Sequence, residues 1–203
     1  MTKVVTFVGE GGKTTCAVGC AEAFRQAGLR VLLADTTPDQ AAASWQRLAG
    51  WQVPVLARGG VRADRDHWAA IARDEYDVVV VDTAPTAGYA GRPAPILRAS
   101  TDLVVVLTPS WVDLDTVGAR LATYAPPDRR SVVLLNQVVP GASASVREAV
   151  AAAGWAVSTT ELPLSEVHAR AYGRDPGTLA AAFTGFAAAL ITTWREPFAV
   201  GVW

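Results

Sequence analysis

The stretch Phe7–Cys20, "FVGEGGKTTCAVGC", decides how this chain is read. An apolar, β-branched run ends at Val8, a glycine-rich turn follows, then Lys-Thr-Thr, then a helical pattern. That is the layout of a phosphate-binding loop. Successive backbone N–H groups and the positive end of a helix converge on one anion, and glycines let the backbone curl closely around it. Gly9, Gly11 and Gly12 supply the curl, Lys13 the charge for the terminal phosphates, and Thr14 the hydroxyl for Mg²⁺. Thr15 stands beside them in the nucleotide-binding set. Two features depart from the usual loop. Phe7 occupies the first glycine position of G-x-x-x-x-G-K-[ST], and Glu10 brings a negative charge into the turn.

Working outward, short β-branched runs recur at Val4–Val8, Val31–Ala34, Val78–Val81, Leu103–Leu107 and Val132–Leu135. "DVVVVD" and "DLVVVL" lack period-two alternation, so they read as strands covered on both faces. Helical patterns lie between them near Thr14–Ala27, Gln40–Ala49, Asp64–Arg73, Leu114–Ala122 and Ser143–Ala153. Gly28 and Gly154 sit where two of these helices should stop. Strand and helix alternating in this way predict an α/β fold: a single doubly wound, mostly parallel sheet with helices on both faces. With no internal repeat and no dividing linker, residues 1–203 read as one domain.

Composition narrows the function classes. The formal net charge is −1, so no global basic field advertises nucleic acid. Lys3 and Lys13 are the only lysines among eighteen basic residues. A lysine kept directly after Gly11-Gly12 suggests that its compact ammonium is needed there. Cys16 and Cys20, in line with Phe24, read as small buried residues on a core face. "MTKVVTFVGE" is a strand pattern rather than a leader, and no apolar run reaches membrane-spanning length, so a cytoplasmic location is expected.

"YDVVVVDTAP" ends a buried strand in Asp82, the placement by which a carboxylate holds Mg²⁺ opposite a phosphate loop. The loop that follows, Thr83–Pro95, lies beyond the carboxyl end of that strand, where open parallel sheets bind ligands.

Taken together, these segments resemble the ParA/MinD partition and positioning ATPases, particularly the short plasmid-segregation type, over nearly the whole chain. "GGKTTCAV" is similar to their phosphate loop and following helix, "VLLADTTPDQAAASW" to their D-x-D-P-Q segment, and "YDVVVVDTAP" to their magnesium strand. "TDLVVVLTPSWVDLDTVGA" resembles the next strand and helix. "VVLLNQV" resembles the strand whose Asn contacts adenine, which makes Asn136 the base-recognition residue; a turn residue after a strand is the alternative. "ELPLSEVHARAYGRDPG" resembles the late loop that closes over the base and places Pro163 near the purine. The resemblance implies a P-loop NTPase fold, ATP/ADP and Mg²⁺ as cofactors, and an ATP-dependent homodimer. It also implies a ParB-like or adaptor protein as partner, and a role in plasmid, chromosome or cargo segregation.

Two departures from that family bear on turnover. Its loop reads K-G-G-x-G-K-[ST], whose first lysine reaches the partner subunit's phosphates. Val8 or Glu10 stands there, depending on alignment. Its D-x-D-P-Q uses the second Asp to orient the attacking water, and "DTTPDQ" places Thr37 at that position. Asp39, two residues on, is the candidate replacement, with Lys13 the other catalytic candidate and Asp35 in the same sensing loop. A charge at about 4 Å is worth roughly 4 kcal/mol at an effective dielectric of about 20. Loss of one general-base group costs on the order of 10²–10⁴ in rate. The expectation is slow hydrolysis, with nucleotide binding weakened more than abolished, and Arg92 and Arg98 as candidate partners for Glu10.

Family members that lack a DNA-binding domain hold DNA nonspecifically through basic residues of the C-terminal half. Arg120, Arg129, Arg130, Arg147, Arg170, Arg174 and Arg195 are the candidates here, with Arg129, Arg130 and Arg147 as one cluster; solvated surface arginines are the alternative. Leu179, Phe183, Phe186, Leu190 and Trp194 lie at helical spacing, but the opposite face is Ala, Thr and Gly rather than basic. The segment therefore reads as a helix packed on the sheet, not a membrane-docking one, and the tail "PFAVGVW" as a core cover or subunit contact. Two other functions stay open: a non-hydrolysing regulatory relative used as a protein-binding module, and a small ATP-dependent ligase such as a dethiobiotin synthetase. The ligase reading lacks a lysine after Asp35 to hold a carboxylated substrate.

Overall fold

The computed structural model describes residues 2–9, 11–57, 75–84, 97, 99–109, 117–124 and 130–195. Seven strands form one sheet: β1 (Lys3–Gly9), β2 (Val31–Asp35), β3 (Val55–Ala57), β4 (Val78–Asp82), β5 (Asp102–Leu107), β6 (Arg130–Val138) and β7 (Ala156–Pro163). Their order is β3-β2-β4-β1-β5-β6-β7, and every described pairing is parallel. Among the described residues six helices accompany them: α1 (Lys13–Gln26), α2 (Ala41–Ala49), α3 (Val117–Tyr124), α4 (Ala144–Ala152), α5 (Glu166–Ala169) and α6 (Gly177–Thr193).

The continuous valine runs are explained by two-sided cover. Val5, Phe7, Val78, Val80, Val104, Val106, Val132 and Leu134 pack with α1 and α6 on one face. Leu103, Val105, Leu107, Val133 and Leu135 pack with Leu121 of α3 and with Val146 and Val150 of α4 on the other. Successive side chains of a strand point to opposite faces, so a strand enclosed on both needs no polar alternate. The expected doubly wound sheet is the observed one. Leu179, Phe183, Phe186 and Leu190 are buried in α6 against the core, and the Phe24 and Trp194 rings stand 5.3 Å apart. Cys16 and Cys20 are free and fully buried, as their helical spacing implied.

Two strands escaped the sequence reading. β3 is three half-buried residues, and β7, "AVSTTELP", carries Ser, Thr and Glu. Both are edge strands and pair on one side only, so neither needs the apolar run that marks a central strand. The helix expected at Asp64–Arg73, most of the Thr83–Pro95 loop and the "PFAVGVW" tail lie outside the described residues. Among the described residues no helix is long and apolar enough to cross a membrane.

Strand order also locates the site. From β1 the chain runs outward to β2 and β3, returns to β4, then crosses to β5 and continues the other way. The reversal brings the carboxyl ends of β4, β1 and β5 together, the switch point at which open parallel sheets bind ligands.

Candidate functional site

The turn between β1 and α1 is built on left-handed backbone. Gly9, Gly11 and Gly12 have φ of 103°, 74° and 81°. A Cβ on Gly9 would lie 2.4 Å from the Val106 carbonyl oxygen of β5, so only glycine fits. Gly12 is the N-cap of α1, and among the described residues no side chain caps that helix; its first turn also holds no acidic residue. The first N–H groups of a helix have no intrahelical partner, and such groups, where no Ser or Asp caps them, can bind an anion. Lys13 is buried, and its Nζ donates to the Gly9 carbonyl at 2.9 Å, folding the ammonium back over the turn. Thr14 and Thr15 follow in the same half-buried first turn. Glu10, Arg92 and Arg98 lie outside the described residues.

Asp82 ends β4 beside this turn, in register with Phe7 of β1 and Asp35 of β2. It is fully buried, and neither carboxylate oxygen has a hydrogen-bond partner among the described residues. Burial raises its pKa to about 7; the Thr14 hydroxyl and Lys13 pull it back without closing a hydrogen bond, and the charges of Asp35 and Asp39 push it further up. An orphaned, buried carboxylate is costly unless something compensates it. A dication does so. Asp82 with the Thr14 hydroxyl fits Mg²⁺, which takes one or two protein oxygens and keeps several waters.

The second loop differs. Asp35 is saturated: Oδ1 accepts from the Thr37 backbone N–H at 2.9 Å and from the Thr37 hydroxyl at 2.6 Å, and Oδ2 accepts from the Ala43 N–H at 3.1 Å. Asp35 therefore organises the turn into α2. Thr37 is buried with its hydroxyl spent on Asp35, so it offers no base for a water. Asp39 is exposed, near enough for its charge to act on Asp82. Thr36 donates from both its N–H and its hydroxyl to the Asp82 carbonyl, and the Thr83 hydroxyl donates to the Phe7 carbonyl at 2.6 Å. These threonines tie β2, β4 and β1 together at the level of the site.

Across β5, Asn136 lies within β6, not in a turn after it. It is buried, and its Nδ2 donates to the Gly11 carbonyl at 3.1 Å. Gln137, which sequence reasoning passed over, has φ 57°. No local pattern marks it, since a glutamine at the end of a strand is ordinary. Pro163 is exposed at the end of β7, paired with Val138, and the Leu164 N–H donates to the Val138 carbonyl. Asn136 and Pro163 thus share the carboxyl edge of β6 and β7, on the flank of the phosphate turn.

The expected cluster of Arg129, Arg130 and Arg147 falls partly outside the described residues. Arg130 donates to the Thr193 carbonyl and lies 3.8 Å from Asp102 at the opposite end of the sheet. Arg147 pairs with Glu161 and donates to the Ser158 carbonyl. Arg170 pairs with Glu166 within α5's own turn, and Arg129 is not among the described residues.

Residues 3–177 match the family model for the CobQ/CobB/MinD/ParA nucleotide binding domain. No curated protein matches the chain. Among solved structures, it is similar to cobyrinic acid a,c-diamide synthase from Mycobacterium smegmatis with bound ADP and magnesium, at 20% identity and TM-score 0.67, covering 97% of this chain and 96% of that one. The MinC:MinD cell division protein complex of Aquifex aeolicus gives 17% identity and TM-score 0.70 over 100% of each chain. A ParA family ATPase from Chlorobium tepidum TLS gives 17% identity and TM-score 0.65 over 93% of this chain and 98% of that one. At these identities the likeness is one of fold.

Proposed function

This chain belongs to the CobQ/CobB/MinD/ParA nucleotide-binding domain family, and on that premise we propose that it is a single-domain ATP-dependent dimer switch acting in plasmid, chromosome or cargo segregation. The observation that carries this reading is one juxtaposition. Among the described residues, a helix N-terminus without a side-chain cap, with buried Lys13, stands beside a buried Asp82 whose oxygens have no hydrogen-bond partner. The first suits a polyphosphate and the second suits its metal. Gly9, Gly11, Gly12, Lys13, Thr14 and Thr15 bind the phosphates of ATP or ADP, Thr14 and Asp82 hold Mg²⁺, and Asn136 and Pro163 flank the base. Bound Mg²⁺ neutralises charge on the phosphates and favours the ionised form of Asp82.

Hydrolysis is slow. Thr37 is locked onto Asp35, so Asp39 is the carboxylate left to steer a water. The partners are a second copy of the chain and an adaptor protein; a structure similar to this chain is a MinC:MinD complex. The engaged Arg130 and Arg147 give nonspecific DNA less support than an adaptor. The protein acts in the cytoplasm.

Calorimetric titration with ATP and ADP plus Mg²⁺, with Lys13→Ala as control, tests this reading. Binding by the native chain and its loss in the variant are expected; equal heats from both would remove the phosphate-loop assignment. Sedimentation with ATP then separates a dimer switch from a monomeric protein-binding relative. The ligase alternative is disfavoured by the segment after Asp35, which holds Thr36, Thr37 and Asp39 and no lysine.

A further inference from the structure

Asn136 does more than face the flank of the turn. Its Nδ2 donates to the Gly11 carbonyl at 3.1 Å, and a Cβ added to Gly12 would fall 2.5 Å from that same nitrogen. The carboxamide is therefore seated in the space that glycine leaves open. Gln137 reinforces the contact. Its positive φ of 57° departs from strand geometry, and its Nε2 lies 3.8 Å from the same Cβ position. Two consecutive side chains that a regular strand would send to opposite faces thus both approach Gly12. The β6–β7 pairing shifts register between Leu135 and Val138, and Gln137 takes its positive φ within that irregularity.

The turn needs such support. Gly9, Gly11 and Gly12 all sit at positive φ, and glycine loses more conformational freedom on ordering than any other residue. A turn made of them is costly to hold in its anion-binding shape. A hydrogen bond formed before the ligand arrives lowers that ordering cost at the moment of binding.

We propose that Asn136 is a positioning residue for the phosphate turn, bracing Gly11 and Gly12 from β6 so that phosphate affinity itself depends on it. A role in reading the base would be additional. The ligand arm of the test rests on the nucleotide-binding reading; the structural arm does not.

The test uses Asn136→Ala and the near-isosteric Asn136→Asp, which keeps the volume but lacks the donor. In the ligand-free proteins, hydrogen exchange is followed in the segment from Phe7 to Cys16. Affinities for ATP, for inorganic tripolyphosphate and for adenosine are measured by competition against a fluorescent ATP analogue. The brace predicts faster exchange of the turn in both variants. It also predicts tripolyphosphate binding weakened about fivefold in Asn136→Ala, the size of one neutral hydrogen bond. Unchanged exchange together with unchanged tripolyphosphate affinity overturns it, even where ATP or adenosine binding falls, because that pattern belongs to a residue that reads only the base. Should the native chain bind neither ATP nor tripolyphosphate, the proposed function fails, and the exchange rates alone decide the brace.

Discussion

Asp35 and Asp82 stand side by side, paired in register at the ends of adjacent parallel strands, both with no exposed surface, yet with opposite hydrogen-bonding environments. Asp35 accepts three hydrogen bonds from Thr37 and Ala43. Asp82 accepts none from the described residues. One carboxylate is satisfied by its own turn; the other has no hydrogen-bond partner among the described residues.

That difference makes the ligand-free protein sensitive to pH. Burial holds the Asp82 carboxyl protonated up to about pH 7, whereas an unfolded Asp loses its proton near about 3.9. Between these values the native state binds more protons than the unfolded one. The stability owed to this group therefore falls as pH rises from about 4 to about 7 and stays low above it. In chelator-treated buffer at pH 8, Asp82→Asn should unfold at higher urea than the native chain, by on the order of 1–4 kcal/mol. Mg²⁺ should stabilise the native chain and leave the variant unmoved.

Residual turnover should depend on Asp39. Its charge reaches Asp82, and the neighbouring Thr37 hydroxyl is committed to Asp35. Asp39→Asn is expected to lower single-turnover hydrolysis about tenfold or more while leaving ATP affinity nearly unchanged. A rate equal to the native one would remove Asp39 from the reaction.

At the far end of the sheet, the Trp194 indole N–H donates to Asp102 Oδ2 at 3.0 Å, and the Thr101 hydroxyl donates to the same oxygen at 2.7 Å. Burial raises the pKa of Asp102 despite these donors and Arg130. Trp194→Phe keeps the ring near Phe24 but drops the donor, and should cost about 1–3 kcal/mol in chemical denaturation. Nucleotide affinity should not change, since this contact lies opposite the phosphate turn.

Glu22, in α1, should shape the acid limb. Burial alone would raise its pKa, but hydrogen bonds from Arg25, Trp51 and Gln26 bring it below the ordinary glutamate value. Its contribution is complete above that ordinary range and is lost as pH falls through the depressed folded value. Trp51→Phe removes one donor and should shift acid unfolding to higher pH, read by circular dichroism across an acid titration.

The glycine turn between β1 and α1, the five central strands and the core helices were legible in the chain because each is written in contiguous residues. A strand buried on both faces is a run of valines, an amphipathic helix is a spacing, and an anion turn is a set of glycines before a lysine. Edge strands β3 and β7 were not legible, because one-sided pairing relaxes the demand for apolar residues. Local sequence also settled the family-like loop and its departures at Phe7 and Thr37. The pairing of Asp35 with Asp82, the capture of Thr37 by Asp35 and the reach of Asn136 to Gly11 join residues up to 125 positions apart. The capture itself is short in sequence but depends on the Asp35 side chain being buried at the strand end. Strand order and backbone torsions such as that of Gln137 place these groups, and both follow from long-range packing that no short window of sequence contains.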